Sequence, residues 1–468
     1  MQLLVFLCAA AAVGARPRLG PTPLQPQRAP RDASPSTAVL AVPRGGDAQD
    51  FARTATPVAR GGGAFSFRPA RKIQLLMLMS DTGGGHRASA NALAQALHRQ
   101  HPGKFEVTLM DIWSESGVFP WNTAPSAYRF MGKRPWLWRF LWYSTAAYPL
   151  RAPGRLVHDF QLRKRFKSLL LEADPDVIVS VHPMCQHVPL SARDWLAARK
   201  NESVVFATVV TDLGSAHPMW FDSRVDACFV PTQRLVKLGK FHGVPDGKIV
   251  NHGLPLRAAF CGRSSAKQGP LRKALARRKL GLDFARTVLV TGGGDGFGAL
   301  PKIVDATARE LSRLAMTTGK PLQLVVICGR NERVRRDFAK RDWAAEFPGV
   351  SVVVKGFVKN METWMAASDV LLTKAGPGTI AEAAALGLPV LLTGFLPGQE
   401  RGNVQWVVDK KFGALRKRPR AAARTLAGWL RDGRALDAMS ANALASAKPM
   451  ATDRIAADLW DLLARARR

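Results

Sequence analysis

The sequence predicts an α/β protein made of two doubly wound, Rossmann-like domains that face each other across a cleft. Three observations carry this expectation. The chain has 468 residues and 47% hydrophobic composition, enough for two buried cores at roughly 150 residues per domain. Short apolar runs alternate with helix-forming stretches, the pattern of parallel strands joined by helical crossovers. The alternation also starts twice, once near residue 71 and again after a basic, turn-rich segment from Pro255 to Leu282.

In the first half, Ile73 to Met79 is a continuous apolar run that ends at Ser80-Asp81-Thr82-Gly83-Gly84-Gly85-His86, and Ala88 to Leu97 has helix-forming composition. This reads as strand, glycine loop, helix. Further strands are expected at Val107 to Met110, at Val177 to Val181 before His182-Pro183, and at Val204 to Val210 before Thr211-Asp212. In the second half, Thr287 to Val290 leads into the glycine loop Thr291-Gly292-Gly293-Gly294-Asp295-Gly296. Strands are expected there at Gln323 to Ile327, Val350 to Val354, Val370 to Thr373 and Pro389 to Thr393, with a last helix over Ile455 to Ala466. Each strand ends in glycine or polar residues, and in a parallel α/β sheet those carboxyl ends line the ligand crevice.

Residues Met1 to Ala15 are apolar and small, with Gly14-Ala15 as a cleavage signal, and read as a signal peptide although the n-region has no positive charge. From Arg16 to Ala70 the chain is rich in Arg, Pro, Ala, Ser and Thr, a transit-like composition that cannot build a core. A signal peptide followed by a transit-like stretch suggests a plastid bounded by extra membranes, and hence an algal source. The net charge is +33. The leader has eight Arg and three Asp, so +28 stays with the folded body, which should attract nucleic acid, anionic lipid or nucleotides. Four of the five cysteines lie beyond the leader, far apart and with no CxxC pair, which argues against a zinc site or a disulfide framework. No apolar run beyond the leader reaches 18 residues, so membrane contact is expected to be monotopic.

The loop Gly83-Gly84-Gly85-His86 places a histidine where backbone can approach a ligand and a helix N-terminus favours negative charge. Histidine suits removal of a proton from an attacking hydroxyl. A helix-capping histidine with no chemistry is the bland alternative. The run Lys374-Ala375-Gly376-Pro377-Gly378-Thr379-Ile380-Ala381-Glu382 follows a strand, so Gly376 to Thr379 would turn backbone N–H groups of a helix start toward a diphosphate. Glu382, one turn further, would accept both ribose hydroxyls, or would simply be a carboxylate favoured by the helix dipole. Gly398-Gln399-Glu400-Arg401-Gly402-Asn403 follows another strand, and its amides and carboxylate suit sugar hydroxyls.

These motifs together resemble the monogalactosyldiacylglycerol synthases: Met79 to Ala90, Lys374 to Glu382, and Gly398 to Asn403, with Thr211-Asp212-Leu213, His217-Pro218, Trp220-Phe221, His252-Gly253-Leu254-Pro255, Cys328-Gly329-Arg330-Asn331 and Gly356-Phe357 between them. The resemblance runs from about Lys72 to about Gly413. It implies the two-lobed GT-B glycosyltransferase fold and an inverting transfer of galactose from UDP-galactose to the sn-3 hydroxyl of 1,2-diacylglycerol. No cofactor is required, and no metal is called for. Carried onto this chain, it makes His86 the base, with Asp81 near enough in sequence to orient it. Donor-binding positions are then Arg257, Gly293, Ala375, Gly376, Pro377, Gly378, Thr379, Glu382, Gly398, Gln399, Glu400 and Asn403. Gly84 and Gly85 fall on the acceptor side. The implied division is a leader over 1–70, an acceptor and membrane-facing domain over 71–254, a UDP-sugar domain over 255–445, and a C-terminal helix over 446–468 that returns to the first domain. The chain departs from the usual plant pattern in Gly214-Ser215-Ala216, which bears on the acceptor-side wall.

Trp113 to Tyr148 contains five of the twelve tryptophans and all three tyrosines, interleaved with basic residues. Trp and Tyr favour the bilayer interface and basic residues favour anionic lipid, so Trp113, Trp136, Trp138, Trp142, Arg134 and Arg139 are expected at a membrane surface. Core packing is the alternative. The partners implied are diacylglycerol and an anionic membrane surface of the plastid envelope, with room for a homodimer. A transferase using UDP-glucose or UDP-N-acetylglucosamine is the nearest competing reading. A nucleic-acid binder rests on charge alone, without any recognition module, and a lipid-binding protein that has lost activity would not need His86, Glu382 and Gln399.

Overall fold

A computed structural model describes residues 71–80, 84–116, 121–132, 134–261, 269–283, 285–293 and 300–467, together with Gln27–Arg28. The expectations for residues 1–70, the short strand β1 (Gln27–Arg28) apart, and for Asp81 therefore lie outside the described residues.

The first sheet contains β2 (Ile73–Met79), β3 (Phe105–Asp111), β4 (Val177–Ser180), β5 (Val205–Val209), β6 (Ala227–Phe229) and β7 (Ile249–Val250), in the order β1-β3-β2-β4-β5-β6-β7. All of its pairings are parallel except that of β1 with β3. The second sheet is wholly parallel: β8 (Arg286–Thr291), β9 (Leu322–Ile327), β10 (Val350–Lys355), β11 (Val370–Lys374), β12 (Val390–Gly394) and β13 (Gly413–Leu415), in the order β10-β9-β8-β11-β12-β13. Strands such as Ile73–Met79 and Leu322–Ile327 are buried on both faces. That is why they read as unbroken apolar runs rather than as alternation.

The strand order reverses between β2 and β4 in one sheet and between β8 and β11 in the other. Crossovers leave such a switch point in opposite directions and open a crevice at the carboxyl ends of the two strands. In this chain those ends are Met79, Ser80, Gly84 and Gly85 with Val181 in one lobe, and Thr291 to Gly293 with Lys374 to Gly376 in the other.

Between β3 and β4 the chain makes the helices Ile112–Ser116, Ala124–Gly132, Pro135–Ala146 and Tyr148–Ala173. The last helix, Ala451–Ala466, packs on the first lobe: Ile455, Ala456, Leu459 and Leu463 join the core of β2, β3, β4 and β5. Trp460 stacks on His101 with centroids 3.9 Å apart, and Arg99 pairs with Asp453. No helix among the described residues is long and apolar enough to cross a membrane.

The aromatic segment divides into two faces. Trp136, Phe140 and Tyr143, spaced i, i+4, i+7 on the helix Pro135–Ala146, are 70%, 45% and 49% exposed. Arg134 and Arg139 are exposed beside them. Trp138 and Trp142 turn inward: Trp138 packs on the first core and lies edge-on to Tyr128, with centroids 5.1 Å apart. Trp113 is 1% exposed, inside that core. This corrects the expectation of a membrane position for Trp113, whose ring has no path to a surface, and moves the outward aromatic face onto Phe140 and Tyr143.

Candidate active site

The two switch points open on one cleft of about 660 Å³, a size that suits a ligand of nucleotide-sugar dimensions, since such pockets run roughly 300–1,000 Å³. Gly84, Gly85, His86, Arg257, Gly293, Gly376, Pro377, Gly378, Thr379, Glu382, Gln399 and Glu400 all line it. Thus twelve candidate residues from segments up to 316 positions apart share a single wall-to-wall space.

On the N-terminal side, Gly84 caps the helix Gly85–Gln100 with φ +74°, a left-handed conformation open chiefly to glycine. That turn puts His86 at the start of the helix, 9% exposed. Its Nδ1 lies 2.8 Å from the Val181 carbonyl oxygen and 3.0 Å from the Thr211 hydroxyl. A carbonyl oxygen only accepts, so Nδ1 carries the proton and the basic lone pair is on Nε2. The His182 ring stands edge-on to it, centroids 4.7 Å apart, and burial, with the neighbouring His86 adding to it, holds His182 well below the usual imidazole range. His86 is therefore flanked by a neutral ring rather than by a cation.

Asp212 is buried beside it and accepts a hydrogen bond from Trp220 Nε1 at 3.0 Å. Burial above all, opposed by the Trp220 hydrogen bond and assisted by Glu400 across the cleft, raises its carboxyl from 3.8 to about 7. Thr211, Asp212, Asp111 and Tyr128 also line the cleft, and none was among the site residues expected from sequence. The available signal for Thr211 and Asp212 was their place just beyond the end of a parallel strand.

On the C-terminal side, β11 ends at Lys374 and the helix Pro377–Ala385 begins with proline at its first position and Gly376 as a cap lacking any side-chain hydrogen bond. The first-turn N–H groups thus have no side-chain cap and face the cleft, a ready site for anionic oxygen. Two cations flank it. Lys374 Nζ pairs with Glu400 at 2.8 Å, and Arg257 donates to Glu382 Oε1 through Nη2 at 2.8 Å and Nε at 3.2 Å. Burial pushes the Glu382 carboxyl up, while Arg257 pulls it down. Lys374 is a further cleft residue that strand position alone would have indicated.

Three expected donor-binding residues lie outside the cleft lining. Ala375 is fully buried beneath the loop. Gly398, at φ +82°, is covered by Trp142, whose Cδ1 would stand 2.2 Å from a β-carbon there. Asn403 is also fully buried, and its amide is committed to the junction of the lobes: Oδ1 accepts from Leu213 N and Gly214 N, and Nδ2 donates to Ala375 O. Their places have a common cause, since each residue is taken up by packing or hydrogen bonding behind the loop that meets the cleft.

The comparisons with known proteins agree with this architecture. A family model for monogalactosyldiacylglycerol (MGDG) synthase matches residues 86–256, and one for the glycosyltransferase family 28 C-terminal domain matches residues 287–447. The chain is 38% identical to monogalactosyldiacylglycerol synthase, chloroplastic, of Spinacia oleracea over 84% of this chain and 73% of that protein. It is 37% identical to monogalactosyldiacylglycerol synthase 1, chloroplastic, of Arabidopsis thaliana over 84% and 72%. Among solved structures, MurG of Acinetobacter baumannii superposes with a TM-score of 0.52 at 13% identity, covering 83% of this chain and 99% of that one, a likeness of fold.

Proposed function

The chain belongs to the monogalactosyldiacylglycerol synthase family, and on that premise we propose that it transfers galactose from UDP-galactose to the sn-3 hydroxyl of 1,2-diacylglycerol with inversion. The observation that supports this best is the opposition of two features across one cleft: the His86 imidazole with Nδ1 held by Val181, and the side-chain-uncapped helix start at Pro377 flanked by Lys374 and Arg257.

In this reading His86 Nε2 takes the proton of the acceptor hydroxyl as its oxygen attacks the anomeric carbon. The bond to the β-phosphate oxygen breaks on the opposite face, giving the β-galactosyl lipid and UDP. The imidazolium so formed keeps its Nδ1–H on the Val181 carbonyl. Negative charge gathering on the departing diphosphate is met by the first-turn amides of Gly378 and Thr379 and by Lys374 and Arg257, groups fixed before the reaction starts. No cofactor enters the scheme. Glu382 accepts the ribose hydroxyls, and Gln399 and Glu400 meet the galactose. Gln399 Oε1 is buried without a hydrogen-bond partner; leaving such an atom unsatisfied costs about 1–3 kcal/mol, which a sugar hydroxyl would relieve.

The acceptor lies in a bilayer, and we propose monotopic docking through Trp136, Phe140 and Tyr143, with Arg134 and Arg139 facing anionic lipid. The plastid envelope is the membrane this reading favours, since the curated relatives carry the description chloroplastic. Incubating the purified chain with labelled UDP-galactose and diacylglycerol vesicles tests the whole scheme by the appearance of label in a lipid.

A further inference from the structure

Beside the cleft, a loop of each lobe touches the other, and the contact falls on the turn that carries Gln399. From the N-terminal lobe comes Ser215. Its hydroxyl donates to the Gln399 carbonyl oxygen at 2.7 Å, with the Gly398 carbonyl 3.2 Å away, and it accepts from Gly402 N at 3.1 Å. One side chain thus satisfies both a carbonyl and an N–H of the opposite lobe. The approach is close because both backbones lack a β-carbon: one added to Gly214 would stand 1.9 Å from the Gly402 carbonyl oxygen.

From the other side comes Trp142. Its ring lies flush on Gly398, where a β-carbon would meet ring atoms at 2.2–2.6 Å. Trp142 is itself braced, edge-on to His217 with centroids 4.8 Å apart, while His217 Nε2 lies 3.1 Å from Thr145 Oγ1 on the same helix as Trp142. The turn Gly398-Gln399 is therefore gripped between a hydroxyl and an indole, both supplied by the lobe that does not contain it. Gln399 lines the cleft, and its side-chain oxygen is a buried acceptor still lacking a donor.

We propose that Ser215 and Trp142 are positioning residues for the donor sugar, gripping the Gly398-Gln399 turn so that the Gln399 amide meets one hydroxyl of the sugar and sets which sugar is accepted. This rests on the reading that Gln399 contacts the transferred sugar. A site built to pair a particular hydroxyl rejects an analogue that misplaces it, so loosening the grip should cost discrimination before it costs nucleotide binding. Trp142 then serves the donor, although it stands on the helix whose other face is the aromatic stripe.

The test measures kcat and KM for UDP-galactose and for UDP-glucose, on a short-chain soluble diacylglycerol, together with UDP affinity by calorimetry. Ser215→Ala and Trp142→Ala should each raise the KM for UDP-galactose and shrink the galactose-to-glucose ratio of kcat/KM by about tenfold, the scale of one hydrogen bond. UDP itself, which has no sugar to position, should bind within about twofold of wild type, and Ser215→Thr and Trp142→Phe should restore much of the ratio. Should Trp142→Ala fail to fold, the small change Ser215→Ala decides. A discriminating wild type whose ratio is unmoved in folded Ser215→Ala, or a fall in UDP affinity equal to the fall in kcat/KM, overturns the positioning role alone. A wild type indifferent to the two sugars overturns the donor reading and this proposal with it.

Discussion

The Nδ1 atom of His86 sits 2.8 Å from the carbonyl oxygen of Val181, so the ring's proton is fixed on the side away from base chemistry. Removing the imidazole should remove the proposed proton acceptor while leaving the helix start at Pro377, which belongs to the other lobe, as it was. His86→Ala is expected to lower kcat by about 10² or more, the scale of a lost general base. UDP affinity by calorimetry should stay within about twofold. A variant that turns over at a rate near wild type would mean that His86 is not the base.

Arg257 and Glu382 are 125 positions apart in sequence and meet in the cleft at 2.8 Å. Glu382→Ala should weaken UDP binding by about tenfold or more, both by losing the proposed ribose contact and by freeing Arg257 from its place. Calorimetry with UDP checks this. A loss confined to diacylglycerol would mean that the donor and acceptor lobes are reversed.

Asp212 gives the fold a pH dependence of definite sign. Its carboxyl titrates near 7 in the folded chain and near 3.8 when free. Between those values the native state holds a proton that the unfolded chain releases, so this group's contribution to stability is full below 3.8 and is lost as pH rises through 7. Asp212→Asn keeps an acceptor for Trp220 and removes the titration. Relative to wild type, the variant should therefore gain in Tm as pH goes from 6 to 8. Parallel Tm curves for the two proteins would contradict the assignment.

Asn403→Ala should destabilise the chain by on the order of 3 kcal/mol, because it strands the buried N–H groups of Leu213 and Gly214 and the carbonyl of Ala375. Denaturant unfolding reads this directly. If stability is unchanged while UDP affinity falls, Asn403 is a ligand contact after all.

Replacing Trp136, Phe140 and Tyr143 together with Ala should reduce binding to vesicles containing anionic lipid, and activity on bilayer diacylglycerol with it. UDP affinity and activity on a soluble short-chain diacylglycerol should survive. Arg134→Ala and Arg139→Ala should each weaken vesicle binding by about 1 kcal/mol at low salt, less as salt rises. Unchanged vesicle binding in the triple variant would move the membrane contact elsewhere, the basic helix surface around Arg163 and Lys164 being next in line.

Much of the fold was legible because strands buried on both faces leave unbroken apolar runs: Ile73–Met79 has the expected bounds, and the other long strands differ by one or two residues at their ends. Ala227–Phe229, Ile249–Val250 and Gly413–Leu415 were not anticipated, since runs of two or three residues at or near sheet margins carry no period to detect. The cleft was legible wherever a candidate followed a strand end. What sequence withheld was orientation. Composition marked Trp113 to Tyr148 as aromatic, but only the helix phase separates outward Trp136 from inward Trp142, and only the fold shows Trp113 inside the core. Likewise Asn403 sits in a motif beside cleft residues, yet its amide points behind the loop, a distinction that depends on the other lobe.

The most direct test of the central claim is the anomeric configuration of the product made from radiolabelled UDP-galactose and diacylglycerol vesicles. The expected product is a labelled galactolipid with a β linkage, read by the anomeric coupling constant in proton NMR, with its formation lowered by about 10² or more in His86→Ala. An α-linked product, or label that stays out of lipid while UDP-glucose or UDP-N-acetylglucosamine is transferred, would contradict it.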